Sequence, residues 1–212
     1  MVSKAQEYIK KLRNLNYPFT VTILDIPIVV ERNVYKPGRT ATMLLEYISK
    51  LDLDGKTVLD YGTGTGIIGI FAAKKGAIVT AIDRNPQAIN CAQNNSRNNK
   101  TSMNIIKSNG FENIPVERKF DYIFASTSYD EGDAEDEFEY SFFDPQLFFR
   151  KSLFENAKKC LKKDGRIYFT YSNSAQKNEP IENVTTEFTC KRVYEKEIEG
   201  EINYLLEIQR NP

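Results

Sequence analysis

The chain has 212 residues, enough for one substantial domain, and a hydrophobic content of 41% fits a folded protein rather than a disordered one. Its 29 basic and 29 acidic residues cancel, which weighs against a free-standing nucleic-acid binder. Histidine is absent altogether, so histidine nucleophile relays, metal sites and general bases are excluded, and chemistry must run on carboxylates, hydroxyls, amides, backbone or a cofactor.

In chain order, residues 3–14 read as a short charged helix with Ala5, Tyr8, Ile9 and Leu12 on one face. No signal-peptide core stands there, and no apolar run approaches the roughly 18 residues of a membrane span, so a cytoplasmic protein without a membrane partner is expected. "FTVTILDIPIVVE" alternates and is rich in β-branched residues, predicting a hairpin that turns near Asp25-Ile26-Pro27. Pro37-Gly38 marks the next turn. Thr40 or Thr42 is a candidate cap for a helix carrying Leu44, Tyr47, Ile48 and Leu51.

From residue 57 strands and helices alternate. Strands are predicted at 57–61, 78–82, 103–107, 120–126 and 166–172. Helices are predicted at 66–75, 86–98 and 145–161, the last stopped by Gly165, with a weaker one at 176–187. The tail reads as an antiparallel hairpin around Glu199-Gly200. This is an α/β chain with a doubly wound, seven-stranded, mostly parallel sheet. Ligands in such folds sit beyond the carboxyl ends of the strands, at the loops after residues 61, 83, 109 and 126. Cys91, Cys160 and Cys190 have no disulfide or metal spacing and are expected to pack as small apolar residues; no metal site is expected.

"VLDYGTGTGIIG" (58–69) can be read in two phases. Gly64-x-Gly66-x-x-Gly69, with Asp83 beyond, is the pattern of a dinucleotide-binding turn. Asp60-x-Gly62-x-Gly64-x-Gly66 is an acid leading three alternating glycines. The second phase explains two residues that the first leaves idle. A carboxylate at Asp60, among Val58 and Leu59, needs hydrogen-bond partners, and Gly62 lets backbone approach a ligand closely.

In that phase the segment resembles the cofactor loop of class I S-adenosylmethionine-dependent methyltransferases. "TAIDRNPQAINCAQNN" resembles their second signature, "FDYIFASTSY" their fourth-strand motif, and "AKKCLKKDGRIYFTYS" their helix-Gly-strand ending. The likeness runs from about residue 34 to the C-terminus, leaving residues 1–33 as an N-terminal helix and hairpin extension and 34–212 as the methyltransferase domain. It implies S-adenosyl-L-methionine as cofactor, with Asp60, Gly62, Thr63, Gly64 and Gly66 around its methionine and ribose portion. Asp60 would hold the loop and the amino group, and Asp83 would accept both ribose hydroxyls. Arg84 or Asn85 would flank the adenine, and Asn109 would stand where relatives often carry an aspartate.

The chain is most similar to the branch whose fourth strand ends in Asn/Asp-Pro-Pro-Tyr and which methylates planar nitrogens. Here the aligned residues are Ser126, Thr127, Ser128 and Tyr129. The resemblance makes Ser126, Thr127 and Tyr129 the candidate catalytic set, with the tyrosine stacking on the acceptor and a Thr127 carbonyl accepting its N–H. The expected reaction is methyl transfer to a nitrogen of a small or peptide-like acceptor; transfer to an oxygen, or a non-catalytic interaction role, are the alternatives. Only about 33 residues precede the matching region, which favours a compact acceptor over structured RNA. Eight carboxylates crowd the stretch from Asp130 to Asp144 without a local base. That run reads as a solvated loop, or as an acidic lid that excludes nucleic acid and selects amine-bearing or neutral acceptors.

Overall fold

The computed structural model describes residues 4–126, 132–173, 188–198 and 200–211. Helix α1 (Lys4–Arg13) leads to an antiparallel pair, β1 (Phe19–Ile23) and β2 (Ile26–Val30), and then to α2 (Arg39–Ile48). The alternating core follows as β3 (Thr57–Tyr61), α3 (Ile67–Lys74), β4 (Ile78–Asp83), α4 (Pro86–Asn98), β5 (Met103–Lys107) and β6 (Phe120–Ala125). It closes with α5 (Phe148–Cys160), β7 (Leu161–Ser172), β8 (Phe188–Ile198) and β9 (Glu201–Arg210). Strands β3 to β9 form one sheet of order β5-β4-β3-β6-β7-β9-β8, parallel from β5 to β7 and antiparallel where β9 meets β7 and β8. The expected doubly wound, seven-stranded sheet with its terminal hairpin is therefore present.

Both faces of the sheet are covered. One core gathers Met43, Leu44 and Ile48 of α2, Ile70 of α3, and Val58, Val79 and Phe124 from the strands. The opposite core packs Leu153, Ala157 and Cys160 of α5 on Leu59, Ile123, Phe169 and Ile208. Burial on two sides explains why β3 and β6 read as near-continuous apolar runs. Cys91 and Cys160 are buried, and all three cysteines are free thiols. Among the described residues no helix is long and apolar enough to cross a membrane.

Several boundaries differ from expectation. The first hairpin turns at Leu24-Asp25, both at positive φ (45° and 63°), and Pro27 lies inside β2 opposite Thr22. Neither Thr40 nor Thr42 caps α2: Gly38 holds the N-cap position, and the Thr42 hydroxyl donates to its carbonyl. The helix predicted at 145–161 is broken near its start, because Gln146 and Leu147 both adopt left-handed angles before α5 begins at Phe148. Gly165 does not stop α5, which ends at Cys160. It lies in β7, where a Cβ would meet Leu161 Cγ at 2.7 Å and the Phe120 carbonyl at 2.9 Å. The segment predicted helical at 176–187 falls outside the described residues.

The N-terminal hairpin is fastened to the main sheet by asparagines of α4. Asn95 accepts from the Val29 N–H (2.9 Å) and donates to the carbonyls of Val29 (2.8 Å) and Thr65 (2.9 Å). Asn99, which follows the helix, donates to the Pro27 carbonyl at 2.9 Å. The Asn95 amide thus completes β2 as a neighbouring strand would, and ties it to the loop before α3. Asn95→Ala strands these buried groups and is expected to lower the unfolding free energy by about 1–2 kcal/mol in urea titration.

Candidate functional site

The strand order reverses between β3 and β6, and the loops leaving their carboxyl ends meet there. The chain turns out of β3 through Gly62 and Thr63, whose N–H groups both donate to the Ile82 carbonyl near the end of β4 (3.0 and 2.8 Å). That crossing requires alternating left-handed backbone. Gly62, Gly64 and Gly66 have φ of 76°, 54° and 87°, a region costly for residues with a Cβ. Gly69 sits inside α3, where an added Cβ would meet Met103 Sδ at 2.8 Å; it is a packing glycine. The conformational demand thus falls on the phase beginning at Asp60.

Asp60 is fully buried. Its Oδ2 accepts from the Thr63 hydroxyl (2.6 Å) and the Gly69 N–H (2.9 Å), so it holds the corner and the helix together. Its Oδ1 is buried without a hydrogen-bond partner in the structure. Burial pushes this carboxyl up to about 6 against those two hydrogen bonds, and the neighbouring Asp83 charge pushes the same way. Asp83, at the tip of β4, accepts from the Gly64 N–H through Oδ2 and from the Asn85 N–H through Oδ1, each at 2.9 Å. Burial raises its pKa as well.

A cavity of about 240 Å³ opens between these tips. Gly62, Thr63, Gly64, Asp83, Arg84 and Asn109 line one part of its wall, and Thr40, Ser126, Ser141 and Phe142 line another. Of the expected cofactor set, Asp60 and Gly66 are not on the wall; they act from behind it, through the corner. Ser126 is on the wall and accepts a long hydrogen bond from the Thr170 hydroxyl (3.4 Å). Thr127 and Tyr129 lie outside the described residues. The Asn109 amide donates to Glu112 at 3.1 Å.

The sequence reading did not single out Tyr35 or Phe149 as wall residues, yet both line the cavity, together with Glu137 and Tyr140 of the run it read as a possible lid. It also expected the acidic run to lack bases. In its described part, arginines from three separate places pair with four of its six carboxylates. Arg13 of α1 binds Asp136 (2.7 Å) and Glu139 (2.9 Å), Arg84 binds Glu137 (2.8 Å), and buried Arg150 binds buried Asp144 (3.1 Å). Aromatic contacts complete the roof. Phe138 packs with Ile9 and Leu12 of α1, Phe142 meets Tyr8 and Tyr35 edge-on, and the Arg84 guanidinium lies 3.5 Å from the centre of the Tyr140 ring. Phe138, Glu139 and Asp144 of the segment are buried, while Asp133, Glu135 and Asp136 remain exposed. Its aromatic residues at 138, 140 and 142 were the available signal.

Comparison with known proteins identifies the family. A putative protein N5-glutamine methyltransferase of Methanocaldococcus jannaschii is 34% identical over 110 residues, covering 51% of this chain and 54% of the relative. This chain therefore spans about half the length of that curated relative. Among solved structures, the ribosomal protein L11 methylase of Lactobacillus delbrueckii subsp. bulgaricus superposes with a TM-score of 0.61 at 21% identity, covering 84% of this chain and 82% of that one. The T. thermophilus 16S rRNA N2 methyltransferase, in complex with AdoMet and guanosine, gives 0.66 at 21% identity over 92% of this chain and 50% of its own. Residues 52–210 match the family model described as a methyltransferase domain, a span that takes in the glycine corner, both acids, the cavity-lining Ser126 and the terminal strand pair; the chain belongs to that family.

Proposed function

We propose that this protein transfers the methyl group of S-adenosylmethionine to a nitrogen of a small or peptide-like acceptor. One observation carries the reading: Asp83 and the left-handed glycine corner share one cavity with Ser126, at the point where the strand order reverses. The residues fit the cofactor. An added Cβ at Gly64 would meet nothing within 4 Å, so backbone there faces open space, while Asp60 Oδ1 stands buried and unpartnered just behind. In this reading Gly62 and Gly64 border the methionine and ribose portion. Asp83 keeps lone pairs for the ribose hydroxyls beyond the two amides it already binds. Asn109 faces the base with its carbonyl, its amide hydrogens being turned to Glu112.

When bound, S-adenosylmethionine supplies a methyl group already activated by its sulfonium charge, so the protein's task is positioning and exclusion of water. That suits a site without histidine. Ser126, with Thr127 and Tyr129 beyond it in the chain, orients the acceptor, and the proton lost by a neutral nitrogen passes to water, directly or relayed through the Ser126 hydroxyl, which gives up its own proton as it accepts. Among the described wall residues Arg84 is the one cation, and Glu137 neutralises it. Such a wall offers little purchase to a phosphate backbone, which supports a small or peptide-like acceptor over nucleic acid. The relative named as a putative protein N5-glutamine methyltransferase is consistent with that choice.

Calorimetric titration is expected to show binding of S-adenosylmethionine and none of NADH; the reverse result would overturn the donor assignment. Incubation with methyl-labelled donor and fractionated cell extract is expected to label the peptide or small-molecule fraction. Label confined to RNA would refute the acceptor class.

A further inference from the structure

The Arg84–Glu137 pair lies on the cavity wall, outside the glycine corner at residues 62–66. Its Nε–Oε2 distance is 2.8 Å, with a second contact of 3.3 Å from Nη2 to Oε1, and the guanidinium carbon lies over the Tyr140 ring, 3.5 Å from its centre. Among the described residues, the charged side chains on the wall are Asp83, Arg84 and Glu137. Glu137 cancels Arg84, so one negative charge, that of Asp83, remains. Without Glu137, the uncompensated Arg84 cation would stand beside Asp83 and bring the wall to zero.

We infer that Glu137 is a specificity-determining residue: by masking Arg84 it keeps the cavity negative, so that the site favours the cationic methyl donor over its uncharged-sulfur product. The inference rests on the S-adenosylmethionine reading above. Methyl loss turns a sulfonium into a thioether, so donor and product differ by one positive charge and one methyl group. A wall charge of minus one attracts the donor through that difference and leaves the product with no such attraction, easing its exchange for fresh donor. Glu137 is part-exposed (43%), so solvent screens its effect and keeps the discrimination moderate.

The test is equilibrium binding of S-adenosylmethionine and S-adenosylhomocysteine, without turnover, to the intact chain and to a charge series. Glu137→Gln is expected to lower the donor-to-product affinity ratio by about fivefold, and Arg84→Gln to raise it by about the same factor. The double variant restores a wall charge of minus one and is expected to return the ratio to that of the parent. Lys162→Gln removes a charge near the start of β7, where Lys162 pairs with Asp121, and should leave the ratio alone. Opposite signs with restoration separate a charge effect from a purely structural one, which would weaken both ligands together. A ratio unmoved in both single variants, or moved equally by Lys162→Gln, overturns the inference while leaving the donor assignment standing. Failure of the parent chain to bind either ligand overturns that assignment itself.

Discussion

Asp83→Ala is expected to weaken S-adenosylmethionine binding by about 2–3 kcal/mol, or roughly 30- to 150-fold in dissociation constant. The magnitude comes from two losses at one position. The first is the pair of charge-assisted hydrogen bonds that the carboxylate would offer the ribose hydroxyls. The second is internal: Asp83 binds the N–H groups of Gly64 and Asn85, joining the tip of β4 to the corner that leaves β3 and to the first turn of α4. With alanine, both amides lose an anionic partner and the corner loses its brace. Asp83→Asn helps to separate the two. Its single amide oxygen can keep one N–H satisfied but cannot serve as a carboxylate toward two hydroxyls, so its affinity should fall between the other two. Titration calorimetry on the three proteins reads the series directly. An alanine variant that binds the donor as tightly as the parent would show the nucleoside to lie elsewhere.

The glycine corner was readable because its constraint is local. Residues without a Cβ at 62, 64 and 66 are what a chain needs to stay left-handed at alternate positions. The strands were readable because burial on both faces leaves apolar runs. What escaped reading depends on partners far along the chain. "LKKDG" after α5 looks like a helix running out to its glycine, whereas Leu161 pairs with Phe120 and β7 has already begun. Gln146 and Leu147 carry no turn signature, and their left-handed angles sit beside the buried Asp144–Arg150 pair. The acidic run looked uncompensated because its bases lie at positions 13, 84 and 150. Charge balance in a folded chain is a property of neighbours in space, and a window of fifteen residues does not contain them.

Asp60→Asn is expected to make the ligand-free protein more stable at neutral pH and, in the same step, a poorer binder of the donor. Burial lifts the Asp60 carboxyl from 3.8 to about 6, so folding favours its protonated form. Between about pH 4 and pH 6 the folded chain therefore holds more proton at this site than the unfolded chain does. The linkage sign follows: stability from this group is greatest below pH 4, declines as pH rises through 6, and above that the ionised carboxylate costs about 3 kcal/mol. Asparagine removes the charge but brings a buried N–H₂ where Oδ1 now lacks a partner, a cost of about 1 kcal/mol. The net expectation is a gain of about 2 kcal/mol at pH 7 that crosses zero between about pH 4 and 5 and becomes a loss approaching about 1 kcal/mol at lower pH, read as the difference between urea-derived unfolding free energies of parent and variant across that range. Asp83 also has a raised pKa, and taking the difference between the two proteins largely removes its share. In the proposed reading the sulfonium and ammonium of the donor bring positive charge up to the wall in front of this buried carboxylate, whose Oδ1 has no hydrogen-bond partner in the structure. Donor affinity should accordingly fall in the variant at pH 7, and it should fall in the parent as pH drops below 6. A variant that gains stability without losing affinity would make Asp60 a brace for the corner and nothing more.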